Sequence, residues 1–126
     1  MTTDLAPQDL ASTWSAYSAA WQAGSPAERQ ALFTQALHAD CRYEDPLTQA
    51  VGWPALSAYM QDLQRQIPGV HFVVQRFRAH HRRSAAEWQM RDGQNHVLGD
   101  GVSFGEYAPD GKLLRMTGFF DLPPAA

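Results

Sequence analysis

The stretch Cys41–Pro46 has the sequence Cys-Arg-Tyr-Glu-Asp-Pro and lies where the chain changes from helical to extended patterning. Side chains alternate in an extended segment, which puts Tyr43 and Asp45 on one face and Glu44 on the other. Pro46 lacks an amide hydrogen and favours an extended backbone at the preceding residue, so we expect the Asp45 carboxylate at a strand end. Asp45 is therefore predicted to point into whatever cavity the helices and sheet enclose, and it is the first candidate for a chemical role.

Helical periodicity precedes this stretch. Apolar side chains recur at three- and four-residue steps from Pro7 to about Ala23, and Tyr17 and Trp21 lie on the apolar face. The order Ser-Pro-Ala-Glu at Ser25–Glu28 is typical of a helix N-terminus, and we expect this second helix to end near His38.

A third helix is predicted after the stretch. A short loop over residues 47–51 leads to Pro54, which marks the helix start, and Pro68 with Gly69 ends it. Its apolar face includes Tyr59 and Met60.

The rest of the chain is rich in strand patterns. β-favouring runs cover residues 70–79, 85–91, 95–107 and 112–121, separated by turn sequences. Alternation within these runs puts every second side chain on the face of the sheet that we expect to meet the helices. The large side chains on this inner face are Trp88, Met90, Met116 and Phe120.

One strand carries an unusual row of small residues. Gly99, Gly101, Ser103 and Gly105 share a face, and glycines at alternate positions indicate strong curvature or the close approach of another body. Curvature around the first helix and room for a ligand are both compatible with this row.

Three helices followed by an antiparallel meander predict an α+β fold, with the sheet strongly curved around the helices. The result is a cone with an apolar interior and few polar groups, which is typical of a small-molecule pocket. The helix residues Tyr17 and Trp21 are expected to face the sheet across it.

Composition excludes several classes of protein. The 126 residues fit one domain, spanning 1–126, and the net charge of −3 shows no basic excess, so we expect no nucleic-acid partner. The apolar runs are too short for a membrane span, and the N-terminus lacks the pattern of a signal peptide, so a cytoplasmic protein is expected. A single cysteine, Cys41, and the adjacent His80 and His81 without nearby carboxylates predict no metal site, and we expect no cofactor.

Three segments resemble the nuclear-transport-factor-2-like superfamily, in its SnoaL-like and ketosteroid-isomerase-like branches. They are Tyr17–Ser25, Tyr43–Pro46 and Asp110–Phe120, and the resemblance extends from about Ala11 to Asp121. None of the segments is specific to one enzyme, but their order agrees with the order of helices and strands.

The resemblance implies roles for particular residues. The family's general base, an Asp followed by Pro, falls on Asp45, and the Tyr that binds the oxyanion falls on Tyr17. The family's protonated acid falls on Ser103, whose hydroxyl is a weaker donor. The supporting Tyr of the third helix falls on Met60, with Tyr59 beside it.

Three functions stay open at this point. The first is proton transfer next to a carbonyl, as in an isomerase or cyclase, with Asp45 as base and with Tyr17 and Ser103 at the enolate oxygen. The second is non-catalytic binding of a small apolar ligand in the same pocket.

The third function is that of a dimeric module. The outer face of the sheet is expected to carry Val102, Phe104, Leu113 and Phe119, and we expect a homodimer through this face under all three functions. Such a face says nothing about chemistry.

Overall fold

The computed structural model describes residues 5–121, and three helices and six strands lie in this range. The helices are α1 (Pro7–Ala20), α2 (Pro26–Ala36) and α3 (Trp53–Gln66). The strands are β1 (Leu37–Asp45), β2 (Thr48–Val51), β3 (His71–His80), β4 (Arg83–Arg91), β5 (Val97–Tyr107) and β6 (Leu113–Phe119).

The strands form one sheet in the order β2-β1-β6-β5-β4-β3. All neighbouring pairs are antiparallel except β1 and β6, which run parallel. The fold is therefore α+β with a mixed, mainly antiparallel sheet, which confirms the predicted class. The strand registers do not test the predicted curvature.

The helix boundaries follow local sequence signals. Ser25 caps α2, because its Oγ accepts a hydrogen bond of 3.1 Å from the Glu28 amide, and Pro26 occupies the first turn. Glu28 in turn accepts a bond of 2.9 Å from the Gly24 amide. These paired bonds satisfy amides at the helix start and confirm the N-terminus predicted from Ser-Pro-Ala-Glu.

Two predicted boundaries are wrong. His38 does not lie in the last turn of α2, because the backbone becomes extended at Leu37, which pairs with Leu113 of β6. The loop over residues 47–51 contains β2, a strand of only four residues. It pairs with β1 across a tight turn at Asp45, and so short a strand leaves little periodic signal.

The core lies between the helices and the sheet. Leu113 belongs to it, with no exposed surface, so its predicted place on the outer face is wrong. Glu106 pairs with Arg115 but Tyr107 pairs with Leu113, so Leu114 is an extra residue in the ladder. A β-bulge of this kind reverses the alternation, and Leu114 rather than Leu113 is exposed.

The glycines of β5 have different environments. A Cβ at Gly101 would lie 2.5 Å from the Trp88 ring and from the Phe119 carbonyl oxygen, and one at Gly105 would lie 2.7 Å from Ser84 Oγ. The packing of the chain therefore requires glycine at these two positions. At Gly99 a Cβ would meet nothing within 4 Å, so only this glycine of the strand borders open space.

Over residues 5–121, no helix is long and apolar enough to cross a membrane.

Candidate ligand-binding site

A cavity of about 460 Å³ lies between α1, α3 and the inner face of the sheet. Leu63 of α3, Met90 of β4 and Gly99 of β5 contribute to its wall. Nearly half of the remaining lining residues are aromatic. The eight aromatic side chains are Trp14, Tyr17, Trp21, Tyr43, Tyr59, Phe72, Trp88 and Phe120.

These rings form a connected network. Trp21 packs at centroid distances of 5.5 Å against Tyr43, 5.9 Å against Tyr59 and 5.5 Å against Phe72. Phe72 in turn lies 5.1 Å from Trp88 at an interplanar angle of 90°. Edge-to-face contacts of this kind fix ring orientations, so the cavity wall is largely preformed.

The Asp45 carboxylate accepts four hydrogen bonds. Its Oδ2 accepts from the hydroxyls of Tyr43 at 2.5 Å and Tyr59 at 2.8 Å. Its Oδ1 accepts from the amides of Leu47 at 2.8 Å and Thr48 at 3.1 Å. An ionised carboxylate has about four lone-pair sites, so the four donors match its full accepting capacity.

Local structure explains this convergence. The alternation of β1 places Tyr43 on the same face as Asp45, as predicted, and the two amides belong to the turn that leads into β2. Tyr59 belongs to α3, fourteen residues further along the chain, and its ring lies 5.8 Å from that of Tyr43. Burial is the main cause that raises the pKa of Tyr43 and of Tyr59, and the nearby Asp45 raises both further. Both phenols therefore stay protonated and remain donors.

Tyr17 lies deep in the cavity wall. It is 4 % exposed, and burial raises its pKa above the ordinary value for a phenol. A side-chain hydrogen bond with Trp21 acts in the opposite direction but is the smaller influence on this pKa. The Tyr17 ring lines the cavity. An indole N–H can only donate, so the bond with Trp21 leaves the phenol proton of Tyr17 available to an acceptor in the cavity.

Ser103 lies close to the Asp45 group. A Cβ at Gly118 would be 3.4 Å from Ser103 Oγ, 3.6 Å from the Asp45 Cβ and 3.8 Å from the Tyr43 hydroxyl. The structure thus brings Ser103 and Asp45 together around Gly118. The Trp88 indole donates to Ser103 Oγ at 2.9 Å, which leaves the serine proton available to an acceptor in the cavity.

The predicted ligand-binding residues divide into two groups. The cavity wall includes Trp21, Tyr59, Trp88, Met90 and Phe120. Two others, Met60 and Met116, have no exposed surface and belong to the core behind the wall.

Sequence reasoning did not name Tyr43 or Phe72 as site residues. For Tyr43 a signal existed, because alternation places it beside Asp45. For Phe72 no signal existed, because its contact with Trp21 joins distant parts of the chain.

The ionisable groups around the cavity are of one sign. Three carboxylates line it, from Asp45 within the wall and from the exposed Asp100 and Asp121. In the range that the structure describes, no lysine, arginine or histidine joins them. The same range contains no group of three His, Cys, Asp or Glu side chains placed to hold a metal ion.

A sequence profile of the SnoaL-like domain matches residues 14–116, and the chain therefore belongs to the SnoaL-like family. The matched range includes both Tyr17 and Asp45. A comparison with curated proteins finds no match.

Solved structures with the same fold come from several bacteria. A candidate isomerase of the SnoaL-like family from Agrobacterium tumefaciens is 23% identical, with a TM-score of 0.83 over 91% of this chain and 99% of its own. A candidate SnoaL-like polyketide cyclase from Jannaschia is 15% identical, with a TM-score of 0.75 over 94% and 91%.

A third similar structure contains a small molecule. This hypothetical protein from Catenulispora acidiphila has a ketosteroid isomerase-like fold and was solved in complex with trimethylamine. It is 14% identical, with a TM-score of 0.72 over 87% of this chain and 85% of its own. Identities this low establish the shared fold and leave the activity open.

Proposed function

We propose that this protein binds a small, largely apolar molecule in the aromatic cavity. The observation that carries the proposal is the cavity itself: about 460 Å³, walled by packed rings, with the Tyr17 side chain buried in the wall. Volumes of roughly 300–1,000 Å³ with apolar walls and a few polar groups are usual for small-molecule sites. The similar structure solved with trimethylamine supports the proposal, because it is a protein of the same fold in complex with a small molecule.

A fluorescent titration tests this proposal. The neutral probe N-phenyl-1-naphthylamine brightens in apolar surroundings, and we expect saturable brightening with the wild-type protein. Gly99→Leu places a side chain on the cavity face opposite Met90, where a Cβ meets nothing within 4 Å, and should weaken binding without disturbing the fold. Ser12→Leu adds the same side chain at an exposed position of α1 and should bind as the wild type does.

If the wild-type protein gives no saturable signal, or if both leucine variants behave alike, the proposed cavity site is wrong.

A second candidate function is proton transfer next to a carbonyl, as in an isomerase or cyclase. It is favoured by the presence of Asp45, Tyr17 and Ser103 around one cavity. In this reaction Asp45 would take a proton from the carbon next to the carbonyl and return it at another carbon, while Tyr17 and Ser103 donate hydrogen bonds to the enolate oxygen.

The hydrogen bonds at Asp45 set a condition on this chemistry. All four lone-pair sites are occupied, so the carboxylate must lose a donor before it accepts a proton. Tyr59 is the partner best placed to leave, because it is half-buried and its bond is longer than that of Tyr43. Proton transfer at Asp45 therefore carries a cost that ligand binding in the cavity does not.

Turnover of a β,γ-unsaturated 3-ketosteroid, followed by ultraviolet absorbance of the conjugated product, tests the second candidate. If Asp45 is the base, Asp45→Asn abolishes turnover and Tyr59→Phe retains it, since the phenylalanine variant frees one lone pair. Turnover that survives in Asp45→Asn would exclude Asp45 as the base.

We also propose that the outer sheet face pairs two copies of the chain. Phe104 and Phe119 are 45 % and 54 % exposed and pack against each other at 5.8 Å, and Leu114 takes the place that we predicted for Leu113. Sedimentation at micromolar concentration should show a dimer that Phe119→Glu dissociates. A wild-type monomer under these conditions would contradict the pairing.

A further inference from the structure

The cavity combines aromatic walls with uncompensated negative charge. Asp45 carries its charge at the wall, and its four hydrogen-bond donors are neutral phenols and amides. No described basic side chain forms an ion pair with Asp45, and none lines the cavity. The charge is thus hydrogen-bonded but has no counter-ion in residues 5–121.

The remaining charges have the same sign. Asp100 and Asp121 border the cavity where the chain is exposed, so any charged ligand meets carboxylates at the entrance as well as in the wall. Low-dielectric walls concentrate the field of such groups. This field attracts cations into the cavity and repels anions from it.

The aromatic walls also favour a cationic ligand. The faces of Trp, Tyr and Phe rings are electron-rich and attract a cation within about 6 Å of the ring centroid. Trp21 stands at the centre of this network, with four aromatic neighbours within 6.4 Å. Tyr17 is buried in the same wall and adds a further electron-rich ring.

We propose that the ligand of this cavity is an organic ammonium ion with apolar substituents. The inference rests on the proposed binding function and adds the charge of the ligand to it. Aromatic rings hold the apolar substituents and the cationic centre, and Asp45 supplies the opposite charge. A neutral ligand gains only the apolar contacts, and an anionic ligand meets three carboxylates.

Three probes of similar shape separate the contributions. Benzyltrimethylammonium is cationic, neopentylbenzene is its neutral carbon isostere, and phenylmethanesulfonate is anionic. Affinities are measured by their displacement of N-phenyl-1-naphthylamine or by quenching of tryptophan fluorescence. We expect the cation to bind at least about tenfold more tightly than the neutral isostere, and the anion to bind least.

Two variants locate the charge that is responsible. Asp45→Asn should weaken binding of the cation by about tenfold, while neopentylbenzene changes by less than about twofold. If Asp45→Asn fails to fold, Asp121→Asn at the exposed entrance tests the same field, and it should reduce the salt dependence of cation binding.

The outcomes distinguish the two proposals. Neutral binding equal to or tighter than cation binding overturns the ammonium inference and leaves the cavity site intact. Binding of no probe, with no saturable N-phenyl-1-naphthylamine signal, overturns both. Preference for the cation that persists undiminished in Asp45→Asn and in Asp121→Asn shows that the carboxylates do not supply the opposite charge, which also overturns the inference.

Discussion

Removing the phenol donors of Asp45 one at a time gives a quantitative test of the site. Tyr43→Phe and Tyr59→Phe each delete one hydroxyl and keep the ring packing. Hydrogen bonds to a charged group contribute about 1.5–3 kcal/mol, more when the group left behind is buried. Tyr43 is 7 % exposed and its bond is 2.5 Å long, so we expect Tyr43→Phe to lower the free energy of unfolding by about 2–3 kcal/mol.

Tyr59 should matter less. It is half-buried, and water can replace part of its bond of 2.8 Å, so we expect a loss of about 1–2 kcal/mol for Tyr59→Phe. Both hydroxyls bond the same oxygen, so the double variant should depart from additivity by at least about 0.5 kcal/mol.

Urea unfolding of the wild type, the two single variants and the double variant measures these changes in the free energy of unfolding. An equal dependence of that free energy on urea concentration in all four proteins checks that unfolding is two-state. Tyr107→Phe is the matched control, because the Tyr107 hydroxyl bonds neutral partners: Ser84 at 2.8 Å and, as a donor, the Leu10 carbonyl at 3.4 Å. Loss of this hydroxyl should lower the free energy of unfolding by about 1 kcal/mol. If Tyr43→Phe and Tyr59→Phe both lower the free energy of unfolding by no more than Tyr107→Phe does, the two phenols do not bond a charged Asp45 carboxylate.

Three further predictions concern packing and titration. Gly101→Ala should lower the free energy of unfolding, measured in urea, by about 1–3 kcal/mol, because the new methyl group would lie 2.5 Å from a ring and from a carbonyl oxygen. Gly118→Ala is the matched comparison, because its methyl group would make contacts of 3.4 Å or longer, and it should lower this free energy by less than about 1 kcal/mol. Burial raises the pKa of Cys41 to about 11. The stability that the protonated thiol contributes is complete below the unfolded pKa near 9 and is lost as the pH rises through 11. Cys41→Ala should therefore flatten the pH dependence of the melting temperature between these two values. The Gln64 side chain accepts a hydrogen bond from Arg29 at 2.9 Å and donates to two backbone carbonyls just after α1. Gln64→Ala should therefore lower the free energy of unfolding by about 2–3 kcal/mol. An effect below about 0.5 kcal/mol would show that this link between the helices is dispensable.

Local sequence signals were sufficient for much of the fold. Alternation placed Tyr43 with Asp45, periodicity placed Tyr17 of α1 on the same face as Trp21, the residue that follows this helix, and Ser25 marked the start of α2. Each of these features depends on neighbours within a few residues, which a sequence displays directly.

Features that depend on long-range pairing could not be predicted in this way. The parallel contact of β1 with β6 and the bulge at Leu114 arise from how distant strands align, and the bulge moved Leu113 into the core. Tyr59 donates to Asp45 from a different element, α3, so this partner of the carboxylate cannot be predicted from the segment around Asp45. Met60 and Met116 lie on inward faces but have no exposed surface and belong to the core rather than to the cavity wall.

Methionine methyl signals in a nuclear magnetic resonance titration test the proposed cavity site most directly. Met90 lines the cavity, whereas Met60 and Met116 lie in the core with no exposed surface, so the chain contains its own reporter and two internal controls. With N-phenyl-1-naphthylamine and then benzyltrimethylammonium, we expect a saturable shift of the Met90 methyl signal that exceeds any change at Met60 or Met116. If Met90 stays unchanged while either probe binds, the ligand lies elsewhere and the cavity is not the binding site.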